Sequence, residues 1–360
     1  MKYTMSRLLR ISLPVMMVFA AGCEDSTGPA SHGTLNTQAA LADYAAVDAL
    51  LASPGLKNFQ MTAAGMESAG LGAAAAVSAG SAIGDLATGD TRAFAQTMTE
   101  IASGASSRVP LISDGNRGKT YVYDADANRW VIDPELTGAP ATGVRFLTYE
   151  PMGAEPDPSK PTGYADLIDL GDATTGVALQ LMVVQGDLTV LDYQTTLTGA
   201  EGSGRVTVDG FLRNPQDQLD FEIDVRGQNV AGVERADITF DLGIADRTFR
   251  VLGDIHGENQ AASRESAIDL TVRHGDASFR VDVDNQNGVL DGNIDLNDAA
   301  FATVSGAEHQ PVFLTPAGEP LNGGQALVLW RIFDITEDVF DLFEDLVEPI
   351  AGLVIIAIIL

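Results

Sequence analysis

Three observations predict a mainly β fold with flanking α-helices. Short runs of alternating apolar and polar residues fill positions 121–314, turn residues separate them at hairpin spacing, and helix-period segments lie at both ends. The strands read as one large antiparallel up-and-down meander. It is expected to curl into a half-barrel or barrel, with N-terminal helices and an amphipathic C-terminal helix covering the apolar face. A flat sheet of ten or more strands would accumulate twist and leave its edges unpaired, so curling is the economical outcome.

At the amino terminus, Lys2, Arg7 and Arg10 precede an apolar stretch at 11–20 that is too short to span a bilayer, which is the layout of a signal peptide over residues 1–22. The segment Ala20-Ala21-Gly22-Cys23 resembles the lipobox of bacterial lipoproteins, with Ala20 where Leu is usual. The resemblance implies acylation of Cys23, the one cysteine of the chain, and anchoring of the body to a membrane of the cell envelope, the outer membrane foremost. Residues 23–33 are small, polar and turn-rich and read as a tether.

Residues 34–104 read as a helical N-terminal segment. Leu41, Tyr44, Val47 and Leu51 recur at helical spacing and Ser53-Pro54-Gly55 ends that run. Residues 62–83 are mostly Ala, Gly and Ser with Glu67 the sole charge, either a closely packed helix or a mobile loop. Asp90 is expected to cap a further helix carrying Phe94, Met98 and Ile101.

The β domain is assigned to 105–325. Leu219, Phe221, Ile223 and Val225 alternate with Asp220, Glu222, Asp224 and Arg226; Ala236, Ile238, Phe240 and Leu242 alternate with Asp237, Thr239 and Asp241. One face is therefore apolar and the other acidic and wet. Residues 150–163 hold Pro151, Pro156, Pro158 and Pro161 and read as a long irregular loop, a lid or a surface excursion. In the last segment, 326–360, an apolar stripe including Phe333, Phe340 and Phe343 opposes a row of acids over 332–347. Pro349 is expected to break that helix, leaving 350–360 as core filler, a late strand, or a tail inserting into a partner or membrane.

Charge excludes a whole class of partners. With 21 basic against 50 acidic residues the net charge is −29, and removal of a leader holding Lys2, Arg7 and Arg10 and no acid takes it to −32. Such a surface repels phosphate backbones, so no nucleic-acid partner is expected. Gly118-Lys119-Thr120 looks like the end of a phosphate loop, but Ser113 stands where the first glycine is needed and a strand follows. The acidic turns at 124–128 and 282–295 offer oxygens at alternate positions yet miss the calcium-loop pattern, and read as hairpin turns. His32, His256, His274 and His309 fall in the tether, a wet strand face, a turn and a loop, without ligand spacing. No nucleophile elbow or zinc-binding helix is present, so a non-enzymatic protein without cofactor or metal is expected.

The order of elements over about 34–349 resembles the half-barrels of bacterial lipoprotein carriers and outer-membrane lipoprotein receptors, although here helices stand at both ends. That resemblance implies an apolar ligand, a lipid or acyl chain, held between sheet and C-terminal helix by Phe221, Ile223, Phe240, Phe279, Phe333, Phe340 and Phe343. The alternative is a structural or scaffold lipoprotein with a solid core. A transmembrane barrel is disfavoured by charges on the alternate faces and by 6% aromatic residues.

Overall fold

The computed structural model describes residues 36–66 and 112–359, apart from 153–154, 174–175, 201, 261–262 and 308–309. The proposed lipidation site Cys23, the helix expected after Asp90, His32 and His309 lie outside the described residues. All described residues belong to one compact unit, Gly33–Leu360.

Two helices open it. In α1 (Thr37–Leu51) the Asn36 side chain caps the first turn by accepting from the Ala39 amide at 3.1 Å. The Ser53-Pro54-Gly55 stop is also a start. Helix α2 (Pro54–Met66) begins on Pro54, whose missing N–H is harmless at that position, and Ser53 Oγ accepts from the Leu56 amide at 3.3 Å.

The sheet follows: β1 (Lys119–Asp124), β2 (Arg129–Asp133), β3 (Gly143–Met152), β4 (Glu155–Ala173), β5 (Gly176–Gln185), β6 (Leu188–Ala200), β7 (Ser203–Arg213) and β8 (Gln218–Val230). It continues through β9 (Val233–Ile244), β10 (Phe249–Gln260), β11 (Ser263–His274), β12 (Ala277–Gln286), β13 (Val289–Leu296), β14 (Ala299–Ala307) and β15 (Gln310–Leu314). All fifteen strands form one sheet that is not closed, in the order β15 back to β3, then β1, then β2. From β3 to β15 every pairing is antiparallel between sequence neighbours. The expected strict meander fails at one place: β1 lies parallel to β3, Tyr121 opposite Phe146, with β2 outside it. The inserted hairpin stacks Tyr121 on Phe146 at 4.7 Å, and Trp130 meets Phe146 edge-on at 5.5 Å, so aromatic packing accompanies the altered order.

The proline-rich segment is not a loop. β3 runs to Met152 and β4 starts at Glu155, with Pro151 opposite Pro156, Tyr149 opposite Pro161, and bulges between. Strand β4 meets β5 only from Gly163 onward, so Pro156, Pro158 and Pro161 have no second neighbour that needs their missing N–H.

The C-terminal helix, α3 (Gly323–Ile359), also corrects an expectation: it passes through Pro349, and 350–359 continue as helix rather than strand. Proline removes a single donor, the one that would serve the carbonyl of Asp345. The neighbouring carbonyl, of Leu346, accepts from the Tyr193 hydroxyl at 2.8 Å, a tie from β6 that holds the helix at that turn. No helix among the described residues is long and apolar enough to cross a membrane.

Helices and sheet share one core. Val144, Leu179, Val208, Val251 and Val281 on the strands and Leu50, Phe59, Ile332 and Leu346 on the helices are all wholly buried. Laid flat, fifteen strands would span about 67 Å, whereas three helices side by side cover about 30 Å. Keeping that whole face dry requires the sheet to curl round the helices.

The outer face is less wet than its acids suggest. Basic residues stand across the strands from carboxylates, with Arg145 bidentate on Asp166 at 2.7 Å and Arg205 on Asp224 at 2.9 Å. Arg280 reaches Asp269 at 3.2 Å in the same way. Arg145 stands directly opposite its acid, whereas Arg205 lies opposite Arg226 and Arg280 opposite Thr271 of β11, and both reach their carboxylates diagonally.

Candidate functional site

The residues nominated for an apolar ligand sit on the inner face by strand parity. Phe221 and Ile223 lie on β8, Phe240 on β9 directly opposite Ile223, and Phe279 on β12 opposite Leu296. Only Ile223 and Phe240 make a direct pair. Phe279 is three strands from β9, about 14 Å along the sheet, and packs edge-on against Phe301 instead. Phe343 points from α3 into the same core, whereas Phe333 is half-buried and lies against Phe313 near the β15 edge at 5.3 Å. The side chain of Phe340 is outside the described residues. Phe221, Ile223, Phe240, Phe279 and Phe343 are each at most 3% exposed, covered by the chain's own atoms.

The covering is tight where the sheet approaches itself. Gly253 on β10 faces inward opposite Phe240, and a Cβ built on it would fall 2.2 Å from the Phe240 ring. The ring thus occupies the volume a side chain at 253 would need. An open depression does exist on the opposite, outer face, between β8 and β11, lined by Glu222, Thr239, Asp241, Leu252, Asp254 and Asp269. Its lining mixes acids with apolar surface, that of Leu252 included, and Asp241 and Asp269 are engaged by Arg250 and Arg280.

A polar cluster that the sequence reading passed over lies inside the fold. His274, expected in a turn, is the last residue of β11 and only 6% exposed, in phase with Leu270 and Val272 on the inner face. Its Nδ1 lies 3.0 Å from Asp43 Oδ2 and its Nε2 3.0 Å from the Tyr44 hydroxyl, both residues of α1. Arg247 extends the cluster, reaching Asp43 at 3.3 Å and Asp217 at 2.9 Å. Phe249 closes it with ring contacts at 5.8 Å to Tyr44 and 5.1 Å to His274. Burial lowers the His274 pKa from its ordinary value against the opposing pull of Asp43, and burial raises that of Tyr44. Neutral His274 then donates from Nδ1 to Asp43 and accepts at Nε2 from Tyr44. Both nitrogens are occupied inside the core, so the arrangement works as a latch holding α1 to β11. The one available sequence signal was parity: His274 continues the apolar register of its strand.

A second polar seam joins the helices. Arg331 on α3 meets Asp48 on α1 at 2.8 Å and Asp334 at 3.3 Å. Nearby Asp338 is pushed up to about 6 by burial and then by the charges of Asp48, Asp334 and Asp341, with Arg331 opposing.

The two acidic turns are hairpin turns. Asp124 Oδ1 accepts from the amides of Asp126 and Ala127, and Asn285 Oδ1 accepts from Gly288. Asn287 and Gly288, at φ 54° and 83°, make the tight turn between β12 and β13. Among the described residues no group of three His, Cys, Asp or Glu is placed to hold a metal ion. Comparison with protein families, curated proteins and solved structures gives no match.

Proposed function

We propose that this chain is a lipid-anchored protein of the cell envelope, acylated at Cys23, whose half-barrel is a non-enzymatic structural body filled by its own helices. The anchor reading rests on the charged start, the short apolar stretch and the single cysteine behind Ala20-Ala21-Gly22. The outer membrane is the expected membrane, with the body facing the periplasm or the cell surface. The observation that favours a scaffold over a carrier is the burial of the nominated ligand-binding residues, with Phe221, Ile223, Phe240, Phe279 and Phe343 at most 3% exposed in the core that sheet and helices share. A carrier needs apolar volume that its ligand can enter. Here the chain's own atoms cover the nominated residues, which supports the scaffold reading.

Native mass spectrometry of the protein extracted from its own membrane tests both parts. The expected result is an acyl mass on the Cys23 peptide and no further lipid on the body. A stoichiometric lipid that stays bound after delipidating washes would overturn the scaffold reading in favour of the carrier. An unmodified Cys23 would overturn the anchor.

A further inference from the structure

Among the exposed apolar residues described, Leu327 and Trp330 share one side of a helix start. On α3, Leu327 is 48% and Trp330 44% exposed, and the Trp330 ring rests edge-on against Phe313 of β15 at 5.5 Å, with Phe333 beside Phe313 at 5.3 Å. The patch begins one helical turn beyond Gly324, and a Cβ built on Gly324 would stand 3.7 Å from the side chain of Thr37, the first residue of α1. The point where the described chain starts is therefore beside the exposed start of α3. Twelve residues lie between Cys23 and Asn36, and the thirteen steps from one to the other reach at most about 45 Å when fully extended.

We propose that this face, Leu327 and Trp330 with the Phe313 ring beneath them, rests on the bilayer interface and orients the body on its membrane; the proposal rests on the acyl anchor at Cys23. Tryptophan on an apolar footing suits the headgroup level, where its ring is buried and its N–H stays wet. A patch this small binds weakly by itself, but a tether of this length confines it near the surface, so its contribution is orientation rather than attachment. The nearby guanidinium of Arg331 is held by Asp48 and Asp334, and the chain without its leader carries net charge −32. The contact is therefore with zwitterionic lipid, and anionic headgroups oppose it.

The chain has two tryptophans, and the other, Trp130, is buried beside Tyr123, Phe146 and Tyr149. Full-length protein is reconstituted into phosphatidylcholine vesicles with ordinary or brominated acyl chains, and wild type is compared with Trp330→Phe, a change at an exposed position. Brominated lipid is expected to remove part of the wild-type emission and none of the Trp330→Phe emission, with less quenching in phosphatidylglycerol and after Leu327→Asp. Equal wild-type emission in the two vesicle types, for protein that floats with them, overturns the proposal. So does a dimer in analytical ultracentrifugation that Trp330→Phe dissolves, because a second copy would then own the patch. Intact mass at Cys23 separates the two readings: acylated yet unquenched chain sinks the patch and spares the anchor, and quenched but unmodified chain does the reverse. Neither acylation nor quenching sinks both.

Discussion

Two stretches of the same inner face are built on different principles. Across β8 and β9 every inward position, from Leu219 to Val225 and from Ile238 to Ile244, is an apolar residue at most 3% exposed. Across β10 and β11 the inward series is broken by Gly253, Gly257 and His274, and there α1 is held by hydrogen bonds from Asp43 and Tyr44. Apolar burial is large but has no direction, so a greasy face accepts a helix in more than one register. A buried His–Asp–Tyr set tolerates one position, because any other leaves donors and acceptors unpaired at the cost of desolvation. The first stretch supplies stability and the second supplies the address.

The largest expected effect breaks the first stretch. Phe240→Ala should cost about 3–5 kcal/mol in chemical denaturation. Gly253→Ala should cost about 1–3 kcal/mol by overpacking against that ring, and this penalty should vanish in the Phe240→Ala background. Additive costs would mean the ring is not what fills the space above Gly253.

His274→Ala breaks the second stretch and should cost about 1–3 kcal/mol near neutral pH, since Asp43 and Tyr44 lose their partner. His274 has its folded-state pKa below the unfolded value, so the unfolded chain takes up the proton first and wild-type stability declines as pH falls below about 6.5. The difference between wild type and variant should therefore narrow on acidification. A gap that stays constant between pH 7.5 and 5 would contradict the neutral latch.

Asp338→Asn sharpens the contrast from the helix seam, with the opposite pH sign. Its carboxyl is raised to about 6 from 3.8, so the folded chain binds the extra proton between those values and wild-type stability falls as pH rises through that window. The variant should melt higher than wild type at pH 7.5 and alike at pH 4, by calorimetry. The smallest effect is reserved for the outer face: Arg280→Ala, at an exposed cross-strand pair, should leave the melting temperature nearly unchanged, and a clear drop would give that face a structural role it is not assigned.

Strand identity and face were legible because period two is local: Ile238, Phe240 and Leu242 face inward and Asp237, Thr239 and Asp241 outward, as the alternation requires. The turn at Asn287-Gly288 was legible for the same reason, its chemistry being carried by two residues. The parallel seat of β1 was not, since nothing in Lys119–Asp124 records which distant strand will accept it. Nor were the helical course through Pro349 and the paired prolines of β4, where tertiary partners decide what a local rule forbids. At the candidate site, parity placed Phe221, Ile223, Phe240 and Phe279 on the inner face and helices over it, but left a ligand cavity and a solid core equally open. His274 was placed by its neighbours Gly275 and Asp276 rather than by its own register, and the latch was missed.

Because each strand from β4 to β14 pairs only with the strands made just before and just after it, the sheet behaves over that range as a linear array of hairpins. Two adjoining strands can be removed or duplicated in the gene without rerouting any connection, and what sets the permissible number is the girth of the helical filling. Variation in width among descendants of this chain should therefore track the bulk of residues such as Phe59 and Leu346, and not the chemistry of the turns.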